Sequence, residues 1–552
     1  MPVSLRHSRN ARLAGGQMVW LAITGSSCRL PPDRMLPEVG RQLEESYEAV
    51  CGQWMSLGRR FSKERRGWLA DMPTAAVDIC DFGLMLAWSG LVSGLARQER
   101  EVLVVCDDPW MFRHLGTLPG VTAHGGVALW RHRLRLLLRG YASRLKVSLR
   151  VALAALLYRS QRRRHVINPG APAVVAYGHP SSRGDGYDAY FGDLVLRNPQ
   201  ILRILHTDLI GDRIRTLTTE RHSASFHAWG NPLFALTLPF VRWKPLLGEG
   251  DKPYAWLVRR AAETENGGGA LAMTRWQNHC HENWLESVRP RCVVWPWENH
   301  PWERDFVRRC DNLDIETRGY QHTVVGRHRL NFSPKTNFDD ERSLPNRIIC
   351  NGPAYLEQLT QFGLDPARLI VGGAFRFPLV GHDHYDPEGP VYVALSHVTG
   401  IASQMLAAIE SLPAKCAKFV VKSHPMYPVD FDESENISRT QATIPEFRGM
   451  RAVLYSTGAT GLEGAMIGVP TWRFRPADRI APDILPNNVR LPSIARSDIE
   501  SILDPQPEFA PVDWNQVMAP VDMAVWAREL GLPAVRQDVR GPAHLDGAGG
   551  VP

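Results

Sequence analysis

Short apolar runs bounded by small or polar residues recur along the chain, separated by stretches in which apolar residues fall three and four apart. VWLAITG (19–25), EVLVVCDD (101–108), AVVAYGHP (173–180) and CVVWPWE (292–298) are of the first kind. Runs this short, rich in β-branched residues and apolar on both faces, predict strands buried in a parallel sheet. The alternation becomes regular in the last third. RIICNG (347–352) precedes a predicted helix at 353–363, and LIVGG (369–373) follows it. VYVALSH (391–397) precedes a helix near 400–412; KFVVKSHP (418–425), RAVLYSTG (451–458), a helix near 459–467 and VPTWRF (469–474) complete the set. Strand–helix alternation predicts an α/β fold with helices on both faces of parallel sheets.

At 552 residues the chain exceeds what one core usually supports. The polar run SPKTNFDDERSLPN places a domain boundary near 340–346. This divides the chain into a first domain (1–345), a second (346–512), a closing helix (513–536) and a Gly- and Pro-rich tail expected to be disordered (537–552). The N-terminal residues are expected to be a loose leader, with Met18 an alternative start. Their apolar part, Met18–Ile23, is shorter than a signal peptide's core. No run reaches the roughly 18–20 apolar residues of a spanning helix. Nine scattered cysteines, none in a C-x-x-C spacing, point to a reducing compartment. With no export signal, a cytoplasmic location is expected.

Charge alters this picture at one place. Residues 131–164 carry eleven Lys and Arg and no acid; taking these from the net +7 leaves the rest of the chain at −4. A protein-wide nucleic-acid surface is therefore not expected. Within the segment Leu134, Leu138, Tyr141, Leu145, Leu149, Leu153 and Leu156 share one helical face. Arg135, Arg139, Lys146 and Arg150 flank it on one side, Arg133 and Arg144 on the other. Such a helix suits an anionic membrane surface. A core-packed helix with solvated arginines and an RNA-binding helix are the alternatives, the latter without aromatic support. Gly140 is expected to weaken the helix and to divide it.

Candidate chemistry sits at strand ends. In YSTGATGLEGAMIGVP (455–470), Ser456, Thr457 and Gly458 end a strand and Thr460 starts a helix, a seat for phosphate. Thr460 and Glu463 also have the spacing of a capping box, which needs no ligand. In KFVVKSHP, Lys422, His424 and Pro425 stand at a strand's carboxyl end, where ligands of open α/β sheets gather. Three carboxylates compete as general base: Glu298 at a strand end beside tryptophans, Glu303 in PWERDF, and Asp185 in the loop GHPSSRGDGYDAYFGDL (178–194), which also holds Asp188 and Asp193. Trp295, Trp297 and Trp302 form either a sugar-stacking wall or plain core. Neither His279-Cys280-His281-Glu282 nor His382-Asp383-His384 has the spacing of a metal site. No metal and no cofactor are expected. Phosphate-binding loops of Walker A type, G-x-G-x-x-G turns and G-x-S-x-G elbows do not occur.

A strand ending in His-Pro, then a Ser/Thr loop and a Glu-containing helix ending in Gly-x-Pro, resembles bacterial transferases that use cytidine nucleotides. These are the sialyl- and polysialyltransferases, the capsule Kdo transferases and the CDP-glycerol glycerophosphotransferases. The likeness covers about 290–475. It implies a GT-B-like fold, two Rossmann-like domains facing across a cleft, the first holding the basic helix and the acceptor, the second the donor. It implies that His424 and Pro425 contact the nucleotide, Ser456 and Thr457 its phosphate and Glu463 its ribose, with no metal. His322, in ETRGYQHTVVG (316–326), would meet the donor across the cleft. The expected partners are a nucleotide sugar, a surface-polysaccharide or lipid-linked acceptor, and the inner face of the plasma membrane. The chain departs from the sialyltransferases in lacking their acidic D/E-D/E-G motif. A UDP-sugar transferase, a sugar-nucleotide 2-epimerase and a non-catalytic scaffold are the other readings.

Overall fold

A computed structural model describes residues 3–533, apart from 14–17, 27–28, 65, 73–79, 167, 209, 221, 377–383, 425–426 and 505–511. Pro425, His382, Asp383 and the 537–552 tail lie outside the described residues. Among the described residues all strand pairs are parallel. The strands form three sheets. The two larger sheets, with helices between their strands, have the parallel α/β architecture expected from the sequence.

The smallest sheet has the order β2-β3-β1-β4, from β1 (Val3–Arg6), β2 (Val19–Ala22), β3 (Val102–Val105) and β4 (Val121–His124). The leader expectation fails here. Val3 and Leu5 are fully buried, and β1 pairs with β3 on one side and β4 on the other. A four-residue strand is too short to show its period in the sequence; its partners lie about a hundred residues away.

The second sheet has seven strands in the order β11-β10-β9-β8-β5-β6-β7. They are β5 (Ala173–Ala176), β6 (Leu202–Leu205), β7 (Ser223–Ser225), β8 (Cys292–Pro296), β9 (Glu316–Gln321), β10 (Arg347–Cys350) and β11 (Leu369–Val371). The third has six in the order β14-β13-β12-β15-β16-β17: β12 (Val391–Ala394), β13 (Phe419–Lys422), β14 (Ile437–Arg439), β15 (Ala452–Tyr455), β16 (Thr471–Phe474) and β17 (Ser493–Ile494).

The chain therefore passes to the last sheet between β11 and β12, and the boundary expected at 345/346 is displaced. The polar run at 333–346 is not a linker. Ser333, Thr336, Asn337 and Ser343 are buried, and the Ser62 hydroxyl of the helix Val39–Ser62 donates to the Thr336 carbonyl at 3.2 Å. Hydrogen bonds satisfy these polar groups inside the fold, which composition alone cannot show. The closing segment is two helices, Trp514–Val517 and Met523–Leu530, not one. They return to the seven-stranded sheet, where Trp526 Nε1 donates to the Gly372 carbonyl at 3.0 Å and Arg318 pairs with Glu529 at 2.9 Å.

Most of the basic segment forms one unbroken helix, Leu129–Tyr158, turned opposite to a core helix, with a 3-10 turn (Arg159–Gln161) and a short helix (Arg162–Val166) after it. Leu136, Gly140, Arg144, Ser148 and Val151 face the protein, while the seven-residue leucine stripe is exposed. Gly140 does not divide it. A Cβ there would stand 2.0 Å from the Asn266 carbonyl oxygen, so glycine is what lets the two chains approach. Arg144 is buried too, its Nε donating to the Pro239 carbonyl at 3.0 Å, and so is not a flanking surface cation. No helix among the described residues is long and apolar enough to cross a membrane.

Candidate active site

In each larger sheet the strand order reverses at one point, and the carboxyl ends of the strands there form a crevice. In the seven-stranded sheet this point lies between β5 and β8, in the six-stranded sheet between β12 and β15. The candidate side chains cluster at these two places.

Glu298 follows β8. The turn carrying it is set by Asn299, whose φ of 60° puts it in the left-handed region. Asn331 Nδ2 donates to the Glu298 carbonyl at 2.7 Å, and Asn299 Nδ2 donates to the Asn331 carbonyl at 2.7 Å. The turn brings the carboxylate of Glu298 to 2.9 Å from His300 Nε2 and 3.7 Å from His322 Nε2. Burial alone would raise the Glu298 pKa. The His300 hydrogen bond and the nearby His322 and Arg329 outweigh it and bring the carboxyl down to about 2. Burial works against the His300 cation as well, yet the Glu298 bond and charge lift it to about 9. At neutral pH the two form an ion pair, about a quarter of each side chain still reached by water. Burial holds His322 neutral, its pKa lowered to about 4.

The other two carboxylates lie elsewhere. Glu303 is 1% exposed and accepts from Trp295 Nε1 at 3.0 Å and from the backbone N–H groups of Glu298 and Asn299 at 3.1 and 3.0 Å. Burial raises its pKa to about 7, but its oxygens are committed to holding the turn. It positions Glu298 and is not itself open to an acceptor. Asp185 pairs with Arg183 at 3.1 Å on the exposed loop and accepts from the Tyr187 N–H, outside the cluster. Asp188, buried in the same loop, accepts from the Tyr190 N–H at 2.9 Å. Tyr190 stands edge-on to His322, ring centroids 4.9 Å apart. Asp193 pairs with Arg197 along a helix. Trp295 and Trp297 are fully buried, and Trp302 stacks on His206 at 4.0 Å; the three are core and not a sugar wall.

On the other sheet, β12 and β13 run in register, Ala394 beside Lys422, so Ser396-His397 and Ser423-His424 leave the sheet side by side. The rings of His397 and His424 are 5.8 Å apart, and Tyr427 lies 5.6 Å from His424. Burial, then the neighbouring His397, lowers the His424 pKa. Across the reversal point, Thr457 Oγ1 is 2.7 Å from Ser396 Oγ and 3.5 Å from His397 Nδ1. Gly458 has a φ of +119° with open space where a Cβ would project, so a ligand can reach the backbone there. Ser456 is not available: its buried hydroxyl donates to the Phe474 carbonyl at 2.9 Å. Thr460 begins the helix Thr460–Met466, whose N-cap is Ala459 without a side-chain cap, so the capping box does not form. Lys422 Nζ donates to the Gln441 carbonyl at 3.0 Å. Burial raises the Glu463 pKa, while Lys422 and Arg376 draw it down.

Arg376 connects the two clusters. Its guanidinium lies over the Tyr190 ring, 5.1 Å from the centroid, and its charge acts on His322 in one domain and Glu463 in the other. The sequence reading missed Arg376, His300, Ser396 and His397. A legible signal existed for the last two, because VYVALSH and KFVVKSH end in the same Ser-His pair.

Within the two segments that lack metal-site spacing, His281 and His384 are packed in the fold. His281 is buried, its Nε2 3.2 Å from His206 Nδ1, and His384 Nδ1 lies 2.8 Å from the Phe447 carbonyl oxygen. Among the described residues Glu44, Glu48 and His328 have ligand-like spacing, but Arg327 pairs with both carboxylates. The Asp483 N–H donates to His328 Nδ1 at 2.7 Å, leaving the ring proton on Nε2, toward the acids. The group is a junction between domains.

No family model and no curated sequence matches the chain. Among solved structures it is similar to the lipopolysaccharide outer core galactosyltransferase WaaB in its apo form (8% identity, 60% of this chain and 88% of that one, TM-score 0.31). It is similar to Anabaena HepE in complex with UDP (8%, 60% and 88%, TM-score 0.33). UDP-GlcNAc 2-epimerase from Neisseria meningitidis bound to UDP-GlcNAc is another (11%, 55% and 82%, TM-score 0.29).

Proposed function

We propose that the protein is a glycosyltransferase that moves a sugar from a nucleotide-activated donor to a hydroxyl acceptor in the cleft between the two larger sheets. The observation that carries this reading is the pair of polar clusters, one at each reversal point, with Arg376 acting on both. On the six-stranded sheet the hydroxyls of Ser396 and Thr457, the open backbone at Gly458 and the rings of His397 and His424 receive the donor's phosphate and nucleotide, with Lys422 and Glu463 bordering them. On the seven-stranded sheet Glu298 receives the acceptor.

In the reaction the acceptor oxygen forms a bond to the anomeric carbon as the bond from that carbon to the phosphate oxygen breaks. The nucleotide leaves with the electron pair, and the acceptor's proton passes to Glu298. A carboxylate held near 2 is a weak base. An acceptor hydroxyl that displaces His300 from it removes the stabilising bond and lets burial raise its proton affinity. His322 lies beside this step.

The donor we favour is cytidine-linked, of the 3-deoxy-2-ulosonate or nonulosonate type, on the resemblance of the His424 strand end and the Ser/Thr loop. The acceptor is a surface polysaccharide or a lipid-linked precursor, reached from the cytoplasm at the inner face of the plasma membrane. Thermal shift with CMP, CDP, UDP and GDP identifies the nucleotide: saturation at 100 times Kd stabilises by about 2.7 kcal/mol. A shift with UDP alone, or epimerisation of a UDP-sugar, favours the UDP-transferase or epimerase reading. Release of CMP from the donor supports transfer, and Glu298→Gln should then lower turnover at least about a hundredfold with donor binding unchanged.

A further inference from the structure

We infer that the outward face of the Leu129–Tyr158 helix and the adjoining 232–246 segment together form a docking surface for an anionic phospholipid bilayer. The helix is inverted: Gly140, Arg144 and Ser148 face inward, and the leucine stripe faces out, Leu138 62% and Leu149 64% exposed. The protein thus uses buried hydrogen bonds to hold the helix with its apolar side free. Arg144 Nε donates to the Pro239 carbonyl, and Ser148 Oγ donates to the Ala235 carbonyl at 2.6 Å. These bonds also fix the neighbouring segment against the helix. Its Leu233, Leu236, Phe240 and Leu246 are 73, 62, 67 and 77% exposed, and Arg242 and Lys244 lie among them. The sequence pattern of 131–164 does not include this second element.

Charge selects the occupant. A helix of thirty residues is about 45 Å long; residues 131–164 contain eleven cations and no acid, and of these Arg133 and Arg150 pair with Glu263 and Asp208 while Arg144 is buried. Arg131, Arg135 and Lys146 remain exposed beside the leucines. A second copy meeting the first through this face would oppose like charges along its length. Anionic headgroups over acyl chains match both the cations and the leucines.

The test is co-sedimentation of the full chain with vesicles of phosphatidylcholine alone or mixed equally with phosphatidylglycerol. Binding is expected to the mixed vesicles and to weaken with salt. Leu138→Ser/Leu145→Ser/Leu149→Ser and Leu233→Ser/Leu236→Ser/Phe240→Ser should each weaken it at least tenfold while the melting temperature holds, since these side chains are exposed. Arg135→Gln/Lys146→Gln, which alters no apolar group, should also weaken it. Failure of the full chain to sediment with the mixed vesicles overturns the inference. Equal binding by the second leucine-to-serine set also overturns the two-element face, as does a dimer abolished by the serine sets without any vesicle binding. The surface is independent of the transferase reading, so Glu298→Gln should sediment like the unaltered protein.

Discussion

Replacing Glu298 with Gln tests the ion pair directly, without knowledge of the substrate. The substitution keeps the side chain's size but removes the charge and bond that lift His300 to about 9. Burial is then opposed only by the weaker charges of Glu303 and Asp71, and the His300 pKa should fall from about 9, each unit being worth about 1.4 kcal/mol between its protonation states. Water reaches part of both side chains and screens the pair, so about 1–2 kcal/mol should appear in stability. The His300 pKa is raised on folding, so its contribution is complete below 6.5 and is lost as pH rises through 9. The Glu298 pKa is depressed, so its contribution is complete above 4.5 and is lost as pH falls toward 2. The stability difference between the unaltered protein and Glu298→Gln should therefore be largest between about 4.5 and 6.5 and shrink on both sides. Glu303, raised to about 7 by burial, also feels the charges of His300 and Glu298, so the two proteins are best compared at pH 5 to 6, below its titration. Histidine ring resonances followed by NMR from pH 5 to 10, with urea unfolding at matched pH, supply the two measurements. A His300 that titrates near 6.5 in the unaltered protein, or one indifferent to Glu298→Gln, would refute the reasoning.

Three further outcomes follow from the structure. His424→Ala should abolish stabilisation by the cognate nucleotide in thermal shift while leaving the unliganded melting temperature in place; an undiminished shift removes His424 from the donor site. Gly140→Ala should lower the melting temperature although alanine favours helix by about 1 kcal/mol, because the new Cβ meets the Asn266 carbonyl and such overpacking costs about 1–3 kcal/mol. A gain in melting temperature would show that the helix shifts freely. Starting the chain at Met18 removes β1; burial of Val3 and Leu5 at about 1.5–3 kcal/mol each makes this a loss of about 3–6 kcal/mol. Urea unfolding with an unchanged midpoint would place β1 outside the cooperative unit.

The sequence by itself determined the elements whose signals are local. Every apolar run singled out became a strand, since such a run is buried on both faces in any parallel sheet. The candidate residues at strand ends were legible for the same reason: an open α/β sheet exposes polar groups at the carboxyl ends of its strands. Tertiary structure alone decided what depends on partners distant in the chain. β1 gains its place from strands about a hundred residues on, and the polar 333–346 run is buried because groups distant in sequence, such as Ser62, satisfy its hydrogen bonds. Glu298 and Glu303, five residues apart, are separated into an ion-paired carboxylate and a turn-holding one by donors that composition cannot reveal. The basic helix shows the division most plainly. Its periodicity defines a leucine face, but periodicity says only that a face exists, and not whether it meets the core or water. Buried bonds from Arg144 and Ser148 to the carbonyls of Pro239 and Ala235 settled that, turning the polar side inward and the leucines out.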